Sequence, residues 1–316
     1  MPGQVRSEVE APLGWLVFDH PERRNAISLS MWQAIPERAA ALDADPDVRV
    51  VVMRGAGDVA FVSGADISEF EGARTGARAA QSYEETTARA FAALVDLRKP
   101  LLAAIHGFCV GGGMAIALGA DLRYAADDAE LAIPAARLGL GYHAAGIEAL
   151  VRLVGPSVAK ELLFSGRRFR ADEALARGLV NAVTPKAELE ARVRALALEI
   201  AANAPLTLRS VKLVVRELAK DPASRDREAI ARSIAACFES DDYREGVRAF
   251  LEKRRPAFRG RGRGRGILAA WRPWSSSSTA RARGPTSPTT AWSRSRPRRG
   301  RAWCGDRSWS AASSTP

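Results

Sequence analysis

The stretch VGGGMAIALGADLRYA, residues 110–125, narrows the possible folds more than any other part of the chain. Three consecutive glycines lie between the apolar run PLLAAIHG, 100–107, and a second apolar run. Glycine lets the chain turn and lets bare backbone N–H groups approach a ligand, because no Cβ stands in the way. The pattern predicts a buried strand, a glycine turn and an apolar helix. It also raises a chemical question. Nothing from Met114 to Leu118 can ionise, so the turn carries no acid or base of its own.

The surrounding chain reads as strand–helix units followed by helices. LGWLVFD at 13–19 and VRVVVMRG at 48–55 have the composition of buried strands, and Ser30 to Leu42 has helical periodicity. DISEF at 66–70 opens a helix with acids in its first turn, where the helix dipole favours them. A helix over 81–98 stops at Lys99-Pro100, and short strands follow near 121–125 and 130–133. Beyond a second glycine-rich loop, RLGLGYHAAG at 137–146, helices are predicted at 146–154, 156–164, 171–177, 186–203, 207–220 and 222–253. This order indicates an α/β fold.

Of the 47 basic and 36 acidic side chains, residues 261–316 take 12 arginines and one acid, so residues 1–260 keep 35 of each. The globular part therefore has no net charge with which to seek nucleic acid, and a nucleic-acid partner is not expected. The last segment has no period, is built from Arg, Gly, Pro, Ser, Ala and Trp, and holds five of the seven tryptophans. Three readings of it compete: a product of GC-rich DNA read out of frame, an inert disordered tail, or an RGG-like nucleic-acid contact. The division predicted is 1–260, helical from about 200, and a low-complexity tail from 261. Three widely spaced cysteines, no membrane-length apolar run and no secretory leader point to the cytoplasm, with no membrane partner.

HPERRNAIS, AFVSGADISEF, IHGFCVGGGMAIALGADLRYA, SGRRFRADEALARGLVNAV and FLEKRRPAFRGR, in that order, resemble the enoyl-CoA hydratase/isomerase (crotonase) superfamily over roughly residues 5–260. The resemblance implies a crotonase-like spiral of ββα units with a helical C-terminal region. It implies an acyl-CoA thioester substrate, no metal or organic cofactor, and a homotrimer or homohexamer. It places two oxyanion-hole amides on Ala65 and Gly112. By the same resemblance Arg23, Arg24, Ala65, Asp66, Ile67, Phe250 and Lys253 would hold CoA, the last two from a neighbouring subunit's C-terminal helix.

The glutamates that handle water and protons in family hydratases fall here on Ala115 and Ala135. Neither can serve as acid or base. The glycine-rich loop instead brings Tyr142 and His143, and its tyrosine resembles that of methylmalonyl-CoA decarboxylase-type members. Decarboxylation suits a site without a base, with the phenol orienting the departing carboxylate and His143 returning a proton. Three functions stay open: a lyase or isomerase of unusual substrate, decarboxylation among them; a residual hydratase using an ordered water and His143; and a non-catalytic acyl-CoA-binding protein. Other polar residues read as structural. His106 is expected to be a packed, hydrogen-bonded core residue, His20 a surface-turn residue, and Glu148, Arg167, Arg168 and Arg170 solvated.

Overall fold

The protein is described by a computed structural model over residues 2–66 and 77–261. Ten strands and nine α-helices are found among these residues. The expected helix start at 66–70 and the tail beyond 261 lie outside the described residues, apart from Asp66 itself.

The strands alternate between two sheets. β1 (Gln4–Glu10) and β2 (Leu13–Asp19) form a hairpin, and β2 continues in parallel through β3 (Val50–Gly55), β5 (Leu101–Ile105), β7 (Leu122–Ala126) and β10 (Ala182–Thr184). The second sheet runs β4 (Ala60–Val62), β6 (Phe108–Val110), β8 (Glu130–Ala132), β9 (Phe169–Arg170). Each turn of the chain thus lays one strand in the large sheet and the next in the small one, as in β3–β4, β5–β6 and β7–β8. This is the ββα spiral expected from the sequence.

Helix α1 (Leu29–Ala44) starts where Ser28 accepts a hydrogen bond from the Met31 N–H, which satisfies one orphan donor of the first turn. α2 is Ala77–Val95, and α3 (Gly112–Leu118) follows the glycine turn. α4 (Ala144–Ser165) is kinked at Gly155, whose φ of 76° no ordinary helical residue adopts, so the two predicted helices are the halves of one run. α5 (Ala171–Ala176), α6 (Leu189–Ala201), α7 (Pro205–Leu218), α8 (Arg227–Phe238) and α9 (Asp241–Leu251) follow. The single helix predicted over 222–253 is in fact two, because Ser240 caps α9 by accepting from the Tyr243 N–H. No helix among the described residues is long and apolar enough to cross a membrane.

Strand alternation sorts the core. Leu16, Phe18, Val51, Met53, Leu101, Ala103 and Ile105 face one side of the large sheet and pack with Phe61, Met114 and Leu162. Leu13, Trp15, Val17, Val50, Val52, Leu102 and Ala104 face the other side and pack beneath α6. Each fully buried large aliphatic or aromatic side chain contributes roughly 1.5–3 kcal/mol.

Candidate active site

The glycine turn is held against the small sheet, through β4 and β8. Gly111 has φ 52°, a conformation that excludes most side chains, and its N–H donates to the Ala132 carbonyl at 2.8 Å. Gly113 is needed for a different reason: a Cβ there would lie 2.1 Å from the Val62 carbonyl oxygen. α3 therefore sits directly on β4.

β4 runs into SGAD. Ile27 forms an isolated parallel bridge with Ala65: its N–H donates to the Gly64 carbonyl at 2.8 Å, and its carbonyl accepts from the Asp66 N–H at 2.9 Å. In a parallel bridge the bonded groups belong to the residues on either side of Ala65. The N–H of Ala65 itself points away from Ile27, and it has no hydrogen-bond partner among the described residues. It lies beside the glycine turn, since a Cβ on Gly112 would stand 3.7 Å from the Ala65 nitrogen. The N–H of Gly112, first residue of α3, is likewise unpaired among the described residues. The two amides named from the sequence, 47 residues apart, are thus brought together. Trp32 and Ile27 wall the spot, and the Trp32 indole donates to the Tyr83 hydroxyl at 3.0 Å.

Tyr142 reaches the same turn. Its hydroxyl donates to the Gly111 carbonyl at 3.2 Å, and burial raises its pKa, so the phenol stays protonated. The Gly111 oxygen also accepts from the Ala115 N–H at 3.1 Å. The phenol proton is therefore spent on the turn and not held out to a ligand. His143 is the N-cap of α4, with Nδ1 accepting from the Gly146 N–H at 3.0 Å. The ring lies against Tyr142 and Phe91, with centroids at 4.7 and 5.8 Å, and burial lowers its pKa. Nδ1 accepts, so the proton sits on Nε2, and forming imidazolium would break the cap. This geometry does not favour His143 as the source of a proton.

Ala115 is buried in α3, and Ala135 is half-buried in a 3₁₀ turn, Pro134–Leu138. Both pack against the same core as Tyr142. Asp66 is buried and pairs with Arg23 at 3.2 Å. Arg24 lies over the Phe108 ring at 5.3 Å. Ile67 lies outside the described residues. Phe250 and Lys253 are exposed at the end of α9, Phe250 by 83 %, so within one chain neither is packed against the glycine turn.

Two expectations for histidines need correction. His20 is not a surface residue: it is buried, with Nδ1 at 3.1 Å from the Ala26 carbonyl and its N–H bonded to the Asn25 side chain at 2.9 Å. His106 is buried as expected, yet its Nε2 has no hydrogen-bond partner. Glu148 pairs with Arg152, Arg167 with Glu161 and Glu173, and Arg168 with Glu130, all on the surface as expected; Arg170 is also exposed.

Asn25 is a residue the sequence reading passed over. It is fully buried at φ 55°, and its amide donates to the Ala56 and Ala60 carbonyls at 2.9 and 2.7 Å. It pins the loop that delivers Ile27 to Ala65. A lone Asn after two arginines was the only signal, one shared by many ordinary turns.

Comparison with known proteins agrees with this geometry. The Enoyl-CoA hydratase/isomerase family model matches residues 8–261. A crotonyl-CoA hydratase from Syntrophomonas wolfei is 34% identical over 251 residues, covering 79% of this chain and 96% of its own length. A carnitinyl-CoA dehydratase from Salmonella typhi is 32% identical over 254 residues, with the same coverage of each chain. A crystal structure of an enoyl-CoA hydratase/isomerase family protein from Hyphomonas neptunium is 39% identical, with a TM-score of 0.78 and coverage of 81% of this chain and 98% of the other. With a ββα spiral, a family model that matches residues 8–261 and relatives matched over almost their whole length, the chain belongs to the enoyl-CoA hydratase/isomerase family.

Proposed function

We propose that the protein binds an acyl-CoA thioester and stabilises its enolate at the amides of Ala65 and Gly112. The observation that carries this reading is their pairing: two unsatisfied backbone donors, in the segments that follow the neighbouring strands β4 and β6, lie close together beside the apolar side chains of Trp32 and Ile27. Preorganised donors of this kind act where negative charge develops and need no reorganisation at the moment of reaction.

The same reading assigns Tyr142 to the turn and not to the substrate. The Gly111 carbonyl and the Gly112 N–H belong to one peptide unit. A phenol on the carbonyl fixes that plane and polarises its N–H.

Alanine at 115 and 135 favours a reaction that needs no carboxylate base. In decarboxylation of a malonyl-type thioester, the bond from the α-carbon to the carboxylate breaks and CO₂ leaves. The electron pair passes into the thioester to give the enolate, and the α-carbon then takes a proton from solvent. A second reading, hydration of an enoyl thioester, is favoured by the likeness to crotonyl-CoA hydratase. Neither reading calls for a metal or an organic cofactor. The exposed apolar side chains of α8 and α9, Phe238, Val247, Phe250 and Leu251, support assembly into a trimer or hexamer, and the cysteine usage supports a cytoplasmic setting.

Mass spectrometry of CoA products, with the full chain incubated with methylmalonyl-CoA and crotonyl-CoA, tests the reading. Loss of CO₂ from the first supports decarboxylation. Gain of water by the second establishes hydration. Tight binding of both without turnover would overturn a catalytic role.

A further inference from the structure

The N-terminal edge of the large sheet gathers positive charge that the thioester chemistry does not use. Arg49 stands just before β3, and Arg98 and Lys99 just before β5, where the last turn of α1 brings Asp43. Arg209 lies one turn into α7, on the face it shares with Pro205. Arg259 belongs to the segment after α9, which is tied down as a strap. Arg49 donates to the Phe258 carbonyl at 2.6 Å, and the N–H groups of Arg259 and Gly260 donate to the buried Asp242 carboxylate at 2.7 and 2.8 Å. Gly260 packs on Pro205, where a Cβ would come within 3.2 Å of the Pro205 Cβ.

A cavity of about 360 Å³ opens between the strap, the end of α1 and the start of α7. That volume falls within the range of small-molecule sites. The five cations line it against two carboxylates, Asp43 and Asp45, a surplus of three positive charges. Three of the cations already have partners. Arg98 pairs with Asp43 at 2.6 Å, Lys99 donates to the Leu42 and Asp45 carbonyls at 2.7 and 2.6 Å, and Arg49 donates to carbonyls of Ala201 and Phe258. Arg209 and Arg259 differ: neither guanidinium makes a hydrogen bond or ion pair among the described residues. Both can be reached. Arg259 is exposed, and Arg209 is half-buried with its guanidinium nitrogens still accessible. The Arg209 charge is felt by the other groups of the cavity. Burial lowers its pKa, Arg98 adds to the fall and Asp43 opposes it. Burial also pushes the Lys99 ammonium down to about 8, with Asp43 and Asp45 holding it up and Arg209 and Arg98 pressing against it. Like charges are thus held together with too few acids to offset them. A dianion would remove most of the surplus, whereas a monoanion would leave two of the three charges unopposed. Arginine forks match the oxygens of phosphate in charge and in geometry. None of the residues placed at the thioester site lines this cavity.

We propose that this cavity is a second ligand site, separate from the thioester site, that takes the phosphate group of a small metabolite. The phosphate oxygens accept from the guanidinium N–H groups of Arg209 and Arg259, in the field of Arg98 and Lys99.

The test is calorimetric titration of the full chain with inorganic phosphate, and with acetate in a separate arm, at constant ionic strength set by chloride. Phosphate is expected to saturate one site, and at lower concentration than acetate. Arg209→Gln should weaken phosphate binding at least about tenfold, and Arg259→Gln should weaken it as well. The phosphate heat left in Arg209→Gln measures what the arginine-rich end of the chain contributes. Melting curves guard against a folding defect: without phosphate, Arg209→Gln should melt no lower than the parent, since it removes a like charge and no hydrogen bond. With phosphate the Tm of the parent should rise by more than that of the variant. A saturating concentration of crotonyl-CoA should leave phosphate binding unchanged; competition would place the phosphate in the thioester site and overturn the proposal. Absence of saturation, acetate binding as tightly as phosphate, or phosphate binding unchanged in folded Arg209→Gln would overturn it equally.

Discussion

The Tyr142 hydroxyl donates at 3.2 Å to the Gly111 carbonyl, which shares a peptide unit with the N–H of Gly112, the residue whose Cβ would stand 3.7 Å from the Ala65 nitrogen. Tyr142→Phe should lower kcat by about fivefold, the worth of one ordinary hydrogen bond. KM should hardly change, because the phenyl ring still fills its place. Steady-state kinetics on whichever thioester turns over would measure this. A rise in KM at constant kcat would instead mean that the phenol contacts substrate directly.

The two end glycines of the turn should fail differently on substitution. Gly113→Ala forces a Cβ onto the Val62 carbonyl and should cost about 1–3 kcal/mol in urea unfolding. Gly111→Ala meets no atom within 4 Å, and its cost, about 1–3 kcal/mol, comes from backbone strain alone. Gly111→Asn, which tolerates positive φ better, should therefore recover part of the stability. No comparable rescue exists at 113.

Restoring carboxylates should restore hydration. Ala115→Glu combined with Ala135→Glu is expected to raise the rate of water addition to crotonyl-CoA about a hundredfold or more, the usual contribution of a positioned acid–base group. Loss of enoyl absorbance follows the reaction. A folded double variant with no gain would show that the Tyr142 loop, and not the missing glutamates, sets the chemistry.

His143 should matter to stability through its cap. His143→Ala should lower stability by about 1 kcal/mol, a fall in Tm of about 2–4 °C, and His143→Asn, a good cap, should restore it. The sign with pH follows from the lowered pKa. The unfolded chain binds its proton near 6.5 while the folded ring resists it. The cap is fully present above pH 6.5 and lost as pH falls through 6.5 toward the folded value. Melting curves between pH 5 and 8 should show a shallower acid slope in His143→Asn. The same slope in both proteins would place the titration elsewhere, with His106 the next group to examine.

What a few neighbouring residues decide was legible in the chain itself. Strand β2 was read at its observed limits, and the buried strands, most helices and the glycine turn followed from periodicity, Pro and Gly. The short strands β4, β6, β9 and β10 escaped, since two or three residues carry no period, and so did β1, whose mostly polar, half-exposed QVRSEVE gives no buried-strand pattern. The order of the motifs was enough to indicate the spiral. Tertiary structure alone decided how they are used. Tyr142 meets Gly111 across 31 residues of sequence, Ile27 orients Ala65 by a bridge from another unit, and His143 spends its Nδ1 on a helix end. The same holds for Arg209 and Arg259, unremarkable in sequence and brought to one cavity only by the packing of the last segment on α7. Local propensity depends on side chains within one or two turns. The direction of a donor depends on hydrogen bonds and packing between segments far apart in the chain, and these exist only once the sheets have assembled.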